Sequence, residues 1–117
     1  YKRQIQYNAA RGINWNVVQD STITHNLIDG NSGVGLSINT SIGNTVTHND
    51  VRNNIGIGIW LLVWPDYTKT TTDNAFIHND ARNNSSWDIL EFRPGTLVFG
   101  NKWVKNKYDD ASPDPPV

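Results

Sequence analysis

The motif that decides the fold occurs at three places in the chain: Ile23-Thr24-His25-Asn26, Val46-Thr47-His48-Asn49 and Phe76-Ile77-His78-Asn79. A degenerate fourth copy follows as Trp103-Val104-Lys105-Asn106. All three histidines of the chain occupy the same slot of this motif, and the lysine of the fourth copy continues the series at similar but unequal intervals. Self-similarity on this scale is typical of proteins that are built from stacked, nearly identical units.

Each motif opens a longer pattern in which apolar residues alternate every second position and Asn interrupts them. In the second copy the apolar slots are Val46, Val51, Ile57 and Ile59, and in the third they are Phe76, Ala81, Trp87 and Ile89. A period of two with many β-branched residues is the period of a β-strand. Asn tolerates left-handed backbone geometry, so we expect it at the corners between short strands. The pattern therefore predicts coils of a β-solenoid, stacked about 4.8 Å apart.

Stacking of the coils predicts that equivalent Asn side chains lie above one another in two columns. The first column is Asn26, Asn49, Asn79 and Asn106, and the second is Asn31, Asn54 and Asn84. Amides in such columns can bond from coil to coil and satisfy buried groups that would otherwise cost about 1–3 kcal/mol each. The alternative is a set of antiparallel hairpins with Asn-rich turns, but hairpins do not require the same residue in the same slot three times.

The phrases at 26–36 and 49–59 follow the pattern Asn-x-apolar-x-x-Asn-x-x-Gly-Ile/Val-Gly-Ile/Leu. In this the chain resembles the right-handed parallel β-helix superfamily, which contains pectate lyases, polygalacturonases, alginate epimerases and phage tailspikes. The resemblance covers roughly residues 4–108 and implies an all-β, right-handed parallel β-helix (a β-solenoid) of about four coils. Enzymes and non-enzymes share these phrases, so they do not select an activity.

The repeats also predict the boundaries of the domain. We expect β-helix coils over residues 1–109, with an incomplete first coil, and an irregular Pro-rich tail over residues 110–117, because proline removes ladder donors. Since the chain begins at Tyr1 partway through a coil, we expect further coils or another copy of the chain to cover that end.

Composition excludes several classes of function. The net charge is −1 and the isoelectric point is about 6.3, without a basic stripe, which argues against nucleic acid as a partner. No apolar run approaches the roughly 18 residues that a membrane span needs. The chain contains no Cys and no Met, so disulfides and thiolate metal sites are absent. The Asn-rich and Thr-rich coils, taken with the resemblance, imply a secreted or cell-surface protein.

Charged residues alternate outward beside the inward apolar slots. The predicted ion pairs between coils are Asp29 with Arg52, Asp80 with Lys107, and Arg82 with Asp109. Such pairs would contribute a few tenths of a kcal/mol each and help to hold the register. The resemblance implies an alternative, in which Asp50 and Asp80 hold calcium and Arg52 or Arg82 takes a proton from a sugar. Guanidinium is a poor base by its pKa, so this role would need strong local help.

The histidine column suggests a second kind of metal site. His25, His48 and His78 at coil spacing could share a Zn²⁺ or Cu²⁺ ion. A straight ladder does not converge on one point, however, and each histidine precedes an Asn at a corner. A stacked or solvated ladder without metal is the competing interpretation.

The second coil is longer than the first, because His78 lies farther along the chain from His48 than His48 lies from His25, and the extra residues follow Ile59. In solenoids an insertion in one coil emerges as a loop, often on the binding face. Aromatic faces beside carboxylates are suited to sugar rings. The predicted carbohydrate-binding residues are Trp60, Trp64, Tyr67, Asp66, Asp88, Glu91 and Arg93. Alternatively, Leu62 and Trp64 fold back and cover the side of the solenoid.

The sequence thus predicts an extracellular β-helix segment with a non-catalytic carbohydrate-binding or structural role. Its partner would be a polysaccharide or another glycan, and it would require no cofactor. One alternative is a calcium-assisted lyase or epimerase that acts on uronic-acid polymers. The other is a self-associating fibre or assembly subunit, because an unfinished coil exposes strand edges.

Overall fold

The structure is a computed structural model that describes residues 3–6, 11–91 and 97–112. Within these ranges the chain forms sixteen short strands: β1 (Arg3–Gln6), β2 (Ile13–Asn16), β3 (Thr22–Thr24), β4 (Asn26–Asp29), β5 (Leu36–Asn39), β6 (Thr45–Thr47), β7 (Asp50–Arg52), β8 (Ile59–Leu62), β9 (Thr71–Thr72), β10 (Ala75–Ile77), β11 (Asp80–Ala81), β12 (Ile89–Glu91), β13 (Val98–Phe99), β14 (Lys102–Val104), β15 (Lys107–Tyr108) and β16 (Ala111–Ser112). These ranges contain no helix, and hence none that could cross a membrane.

Three parallel sheets run along the solenoid, and each takes one strand from every coil that it crosses. Their strand orders are β1-β4-β7-β11-β15 (sheet 1), β2-β5-β8-β12-β16 (sheet 2) and β3-β6-β10-β14 (sheet 3), with β9-β13 as a smaller pair. The register pairs Val46 with Ile23 on one side and with Phe76 on the other, and Phe76 with Trp103. These partners are the first residues of the four motif copies, so the register reproduces the intervals of the repeat. The prediction of a parallel β-solenoid of about four coils is confirmed.

Inward side chains from the three sheets fill the solenoid. Ile28, Val51, Leu36, Ile59 and Phe76 are completely buried. Burying a large apolar side chain contributes about 1.5–3 kcal/mol, so these columns supply much of the stability. Outside the predicted pattern, Trp87 is 41% exposed, so its slot in the third copy does not face the core.

Asparagine amides connect the coils at three corners. In the column of Asn26, Asn49, Asn79 and Asn106, each Oδ1 accepts from both the backbone N–H and the Nδ2 of the Asn in the preceding coil, at 2.9–3.0 Å. The column of Asn31, Asn54 and Asn84 repeats this arrangement at 2.9–3.1 Å. A third ladder, of Asn44, Asn74 and Asn101, was not among the predicted columns.

The corner residue with left-handed geometry is not the ladder Asn. His25, His48 and His78 have φ of 56°, 56° and 55°, and Lys105 has 53°. The expectation that Asn supplies this geometry is therefore wrong at this corner, although Asn53 and Asn83 do adopt it elsewhere. The ladder Asn must keep its amide directed inward, so the turn is made by the residue before it. Histidine is one of the few residues that tolerates this region of backbone space.

Close approach of the backbone explains the glycines in the phrase at 49–59. A Cβ on Gly58 would lie 2.5 Å from Asn84 Nδ2 and 2.5 Å from the carbonyl oxygen of Asp88. Gly35, one coil earlier, would meet Asn54 Nδ2 at 2.7 Å. A side chain at either position would therefore displace an amide of the second ladder.

The coils continue beyond the predicted boundary of the domain. Ala111 pairs with Ile89 and Ser112 with Leu90, so the first residues of the predicted irregular tail form a strand. Proline at 113 ends the stretch in which ladder donors are present. Residues 113–117, like Asn8 and Arg93, lie outside the described residues.

We predict that Asn49→Ala destabilises the fold strongly. Asn49 is 2% exposed and its Oδ1 is the acceptor for two donors of Asn26. Removing it leaves two buried donors without this acceptor, so we expect a loss of about 3 kcal/mol in the free energy of unfolding. Urea unfolding followed by circular dichroism measures the change, with exposed Ser86→Ala as the control. A loss below about 1 kcal/mol would show that the ladder is not a main source of stability.

Candidate functional site

The insertion in the second coil forms an exposed loop whose base is fixed. The chain is buried up to Val63 and exposed from Trp64. At the base of the loop, the Thr71 hydroxyl donates to the Leu62 carbonyl at 2.7 Å. Asn39, from the preceding coil, accepts from the Trp64 N–H at 2.9 Å and donates to the Trp64 carbonyl at 2.7 Å. Both ends of the loop are therefore tied to the solenoid, while Trp64 is 61% exposed.

A groove lies between this loop and the turns of the two preceding coils, which we call the loop groove. Its volume is about 410 Å³, and its lining comprises Asn16, Val17, Gln19, Thr40, Ile42, Trp64, Pro65, Asp66, Thr68, Lys69 and Thr70. Apolar surface comes from Val17, Ile42 and Trp64, which are 67%, 36% and 61% exposed. Amides, hydroxyls, a carboxylate and an ammonium group surround that surface.

Asp66 is held as an ionised hydrogen-bond acceptor at the edge of the loop groove. Its Oδ1 accepts from the Thr68 hydroxyl at 2.6 Å and from the Thr68 backbone N–H at 3.0 Å. These hydrogen bonds, with a smaller contribution from Lys69, lower the pKa of Asp66. The loop therefore presents a negative charge beside the Trp64 indole at neutral pH.

The structure brings together some of the predicted carbohydrate-binding residues and separates others. Trp64 and Asp66 line the loop groove, and Tyr67 lies in the same loop with 55% exposure. Trp60 instead belongs to sheet 2, stacked between Ser37 and Leu90 as the alternation predicted. There the Arg11 guanidinium lies 5.8 Å from the centre of the Trp60 ring.

Asp88 and Glu91 are structural residues rather than groove residues. Asp88 is 2% exposed, and its Oδ1 takes the place of the next ladder amide by accepting from Asn84 N and Nδ2 at 3.0 Å. Its Oδ2 accepts from the backbone N–H groups of Asp109 and Asp110. Glu91 is 8% exposed. It occupies the inward slot beside Leu61 and accepts from the Trp103 indole. Their predicted contact with sugar is therefore wrong, because both carboxylates are used within the fold.

The outward carboxylates on sheet 1 are engaged with arginines of their own strands. Asp50 and Asp80 pair in register, but Asp50 lies 3.1 Å from the Arg52 guanidinium. Arg82 donates to both oxygens of Asp80 at 2.6 Å. Hydrogen bonding and charge from Asp80 raise the pKa of Arg82 above its ordinary value. A guanidinium that is harder to deprotonate is a worse base, and an arginine-bound carboxylate is a worse calcium ligand, so the geometry does not favour the lyase chemistry.

The three histidines form an exposed stack at the corner between sheets 3 and 1. The ring centres of His25 and His48 are 5.1 Å apart with planes 1° from parallel, and those of His48 and His78 are 5.2 Å apart with planes 31° apart. Thr24 Oγ1 lies 2.7 Å from His25 Nδ1, and Thr47 Oγ1 lies 2.7 Å from His48 Nδ1. In the part of the chain that the structure describes, no three His, Asp or Glu side chains are grouped as ligands of one metal ion.

Sequence reasoning missed the floor of the loop groove and the residue that anchors its loop. Val17, Ile42 and Asn39 each come from coils before the insertion, so inspecting the insertion alone did not reveal them. The signal was the repeat itself, since Asn16 and Asn39 occupy the same slot of consecutive coils and lie side by side in register. An inserted loop must fold over the turn of a neighbouring coil, and that turn supplies the other wall.

Comparison with known proteins gives one family. A family model described as "Periplasmic copper-binding protein (NosD)" matches residues 4–109, which is nearly the whole chain. No curated protein and no solved structure matches. The matched region coincides with the stacked coils and the corners described above. The chain belongs to the NosD family of right-handed parallel β-helix proteins.

Proposed function

We propose that this chain is a non-catalytic β-helix protein of the periplasm or cell exterior that binds carbohydrate in its loop groove. The observation that carries the proposal is the exposed Trp64 ring on a loop that Asn39 fixes at both backbone atoms of that residue. The family description supports the location, since it names periplasmic proteins.

The chemistry of the loop groove suits a sugar ring better than a purely apolar ligand. The C–H face of a sugar packs against an indole ring, and its hydroxyls need hydrogen-bond partners around that contact. Asp66, Thr40 and Asn16 supply such partners around Trp64. Since the loop is already tied to the solenoid, little conformational entropy would be lost on binding.

We predict that Trp64→Ala abolishes glycan binding in this groove. A panel of oligosaccharides of glucose, N-acetylglucosamine and uronic acids, titrated with tryptophan fluorescence, should show quenching by at least one member. Loss of a central aromatic ring should weaken that binding about tenfold or more. Trp87→Ala is the matched control, because Trp87 is exposed outside the loop groove.

A second variant tests whether the loop must be held in place. Asn39→Ala keeps the Trp64 ring but removes both of its backbone anchors, so it should weaken binding through the cost of ordering the loop. Quenching that persists unchanged in Trp64→Ala, or no binding by any member of the panel, would contradict the proposal.

Copper binding is a second candidate function, favoured by the histidine stack. The family description names copper. Imidazole is a good copper ligand, and all three imidazoles of the chain lie together on one exposed corner. The donor chemistry therefore fits copper. The geometry offers two neighbouring imidazoles rather than a three-ligand centre, since no such group occurs among the described residues.

We predict saturable copper binding that depends on this corner. Isothermal titration of the protein with Cu²⁺ should give one site per chain, and the variant that combines His25→Asn, His48→Asn and His78→Asn should lose it. Asn is the chosen replacement because it tolerates the left-handed geometry at these positions. The same titration with the triple variant measures adventitious binding, and equal isotherms for both proteins would rule out copper binding at this corner.

Self-association into a fibre is disfavoured by the last described coil. Lys102, Lys105 and Lys107 are all exposed on or beside its edge strands. Lysine along a strand edge opposes pairing with a second chain. We therefore propose surface binding rather than edge-to-edge assembly as the role of this segment.

A further inference from the structure

We infer that His48 and His78, through their Nε2 atoms, are the copper-binding pair, and that the ion they hold is Cu(II). This inference rests on the copper function proposed above and adds the ligand atoms, the oxidation state and an orienting residue. None of these follows from the family description.

The Thr47 hydroxyl supplies the orientation that a ligating histidine needs. Metal-binding histidines usually donate their other ring N–H to a nearby acceptor, which fixes the tautomer and directs the free lone pair at the metal. Thr47 Oγ1 lies 2.7 Å from His48 Nδ1. When Nδ1–H donates to this hydroxyl, the lone pair of His48 is on Nε2, away from the backbone. Thr47 is thus a positioning residue and not a ligand.

The partner of His48 is His78 rather than His25. The His25 and His48 rings are parallel within 1°, and each has a threonine hydroxyl at Nδ1. Two rings held in this way direct their Nε2 lone pairs side by side and not toward a common point. The His78 ring is already tilted by 31°, and the residue before it is Ile77, which has no hydroxyl to hold the ring. His78 can therefore turn toward the lone pair of His48 at the loss of one stacking contact.

The composition of the chain selects the oxidation state. Thioether and thiolate ligands favour Cu(I), and the chain contains neither Met nor Cys. The nearest outward carboxylates, Asp50 and Asp80, are engaged with Arg52 and Arg82. Two imidazoles completed by water are a suitable set for Cu(II), which accepts nitrogen and oxygen ligands.

Single variants of the full chain, titrated with Cu²⁺ by calorimetry and examined by electron paramagnetic resonance, test this assignment. His48→Asn and His78→Asn should each raise Kd by at least about tenfold and remove nitrogen hyperfine structure from the Cu(II) spectrum, whereas His25→Asn, the matched control, should leave both unchanged. Thr47→Val should raise Kd by about tenfold because it frees the His48 ring, while Thr45→Val on the same strand should not. Thermal unfolding without copper checks that each variant is folded.

The outcomes separate failure of the assignment from failure of the copper function. If the wild-type chain binds copper as weakly as the triple variant, both fail. If it binds tightly but His25→Asn is as damaging as His78→Asn, or neither His48→Asn nor His78→Asn has an effect, the copper function stands and the pair is wrong. Should His48→Asn not fold, the contrast between Thr47→Val and Thr45→Val still decides whether His48 is oriented as a ligand. Tighter binding of Cu(I) than Cu(II) would overturn the assigned oxidation state.

Discussion

The structure depends on one constraint, which is that each backbone N–H turned inward at a corner must find an acceptor. A buried N–H without a partner costs about 1–3 kcal/mol, and the solenoid has such a corner in every coil. The Oδ1 of Asn49 meets the need of Asn26, and Asn79 meets that of Asn49. Because every acceptor is also a donor to the next coil, the coils can stack only in the register that keeps the amides aligned.

This ladder also determines where functional side chains can be placed. The residue before each ladder Asn must adopt left-handed geometry and must point outward, so a histidine there is repeated at coil spacing. The long loop follows a different rule. It leaves after Val63 and returns at Thr71, whose hydroxyl bonds back to Leu62, so the additional residues are accommodated without shifting the Asn74 amide from its neighbours.

Much of the fold could be predicted because the sequence repeats the same solution to the same constraint. Val46, Val51 and Asn49 recur in kind one coil away, and such repetition reports register directly. What could not be predicted lies where the third copy departs from the pattern. Asp88 replaces a ladder amide beside Asn84, and Glu91 takes an apolar slot because the Trp103 indole needs an acceptor there. A carboxylate in a repeat looks like surface until its buried donors are known.

The two candidate surfaces lie at different corners, and this separation has an energetic consequence. The histidine stack follows β3, β6 and β10, whereas the loop groove forms after β8, so the ladders of buried amides lie between them along each coil. Coupling between sites needs an element with two discrete arrangements that both ligands bias. Each ladder amide has donors and acceptors that are matched in one arrangement only, so it offers no such element. Carbohydrate and copper would therefore bind independently, and a variant at one corner should leave affinity at the other unchanged, as is usual for distant sites without shared partners.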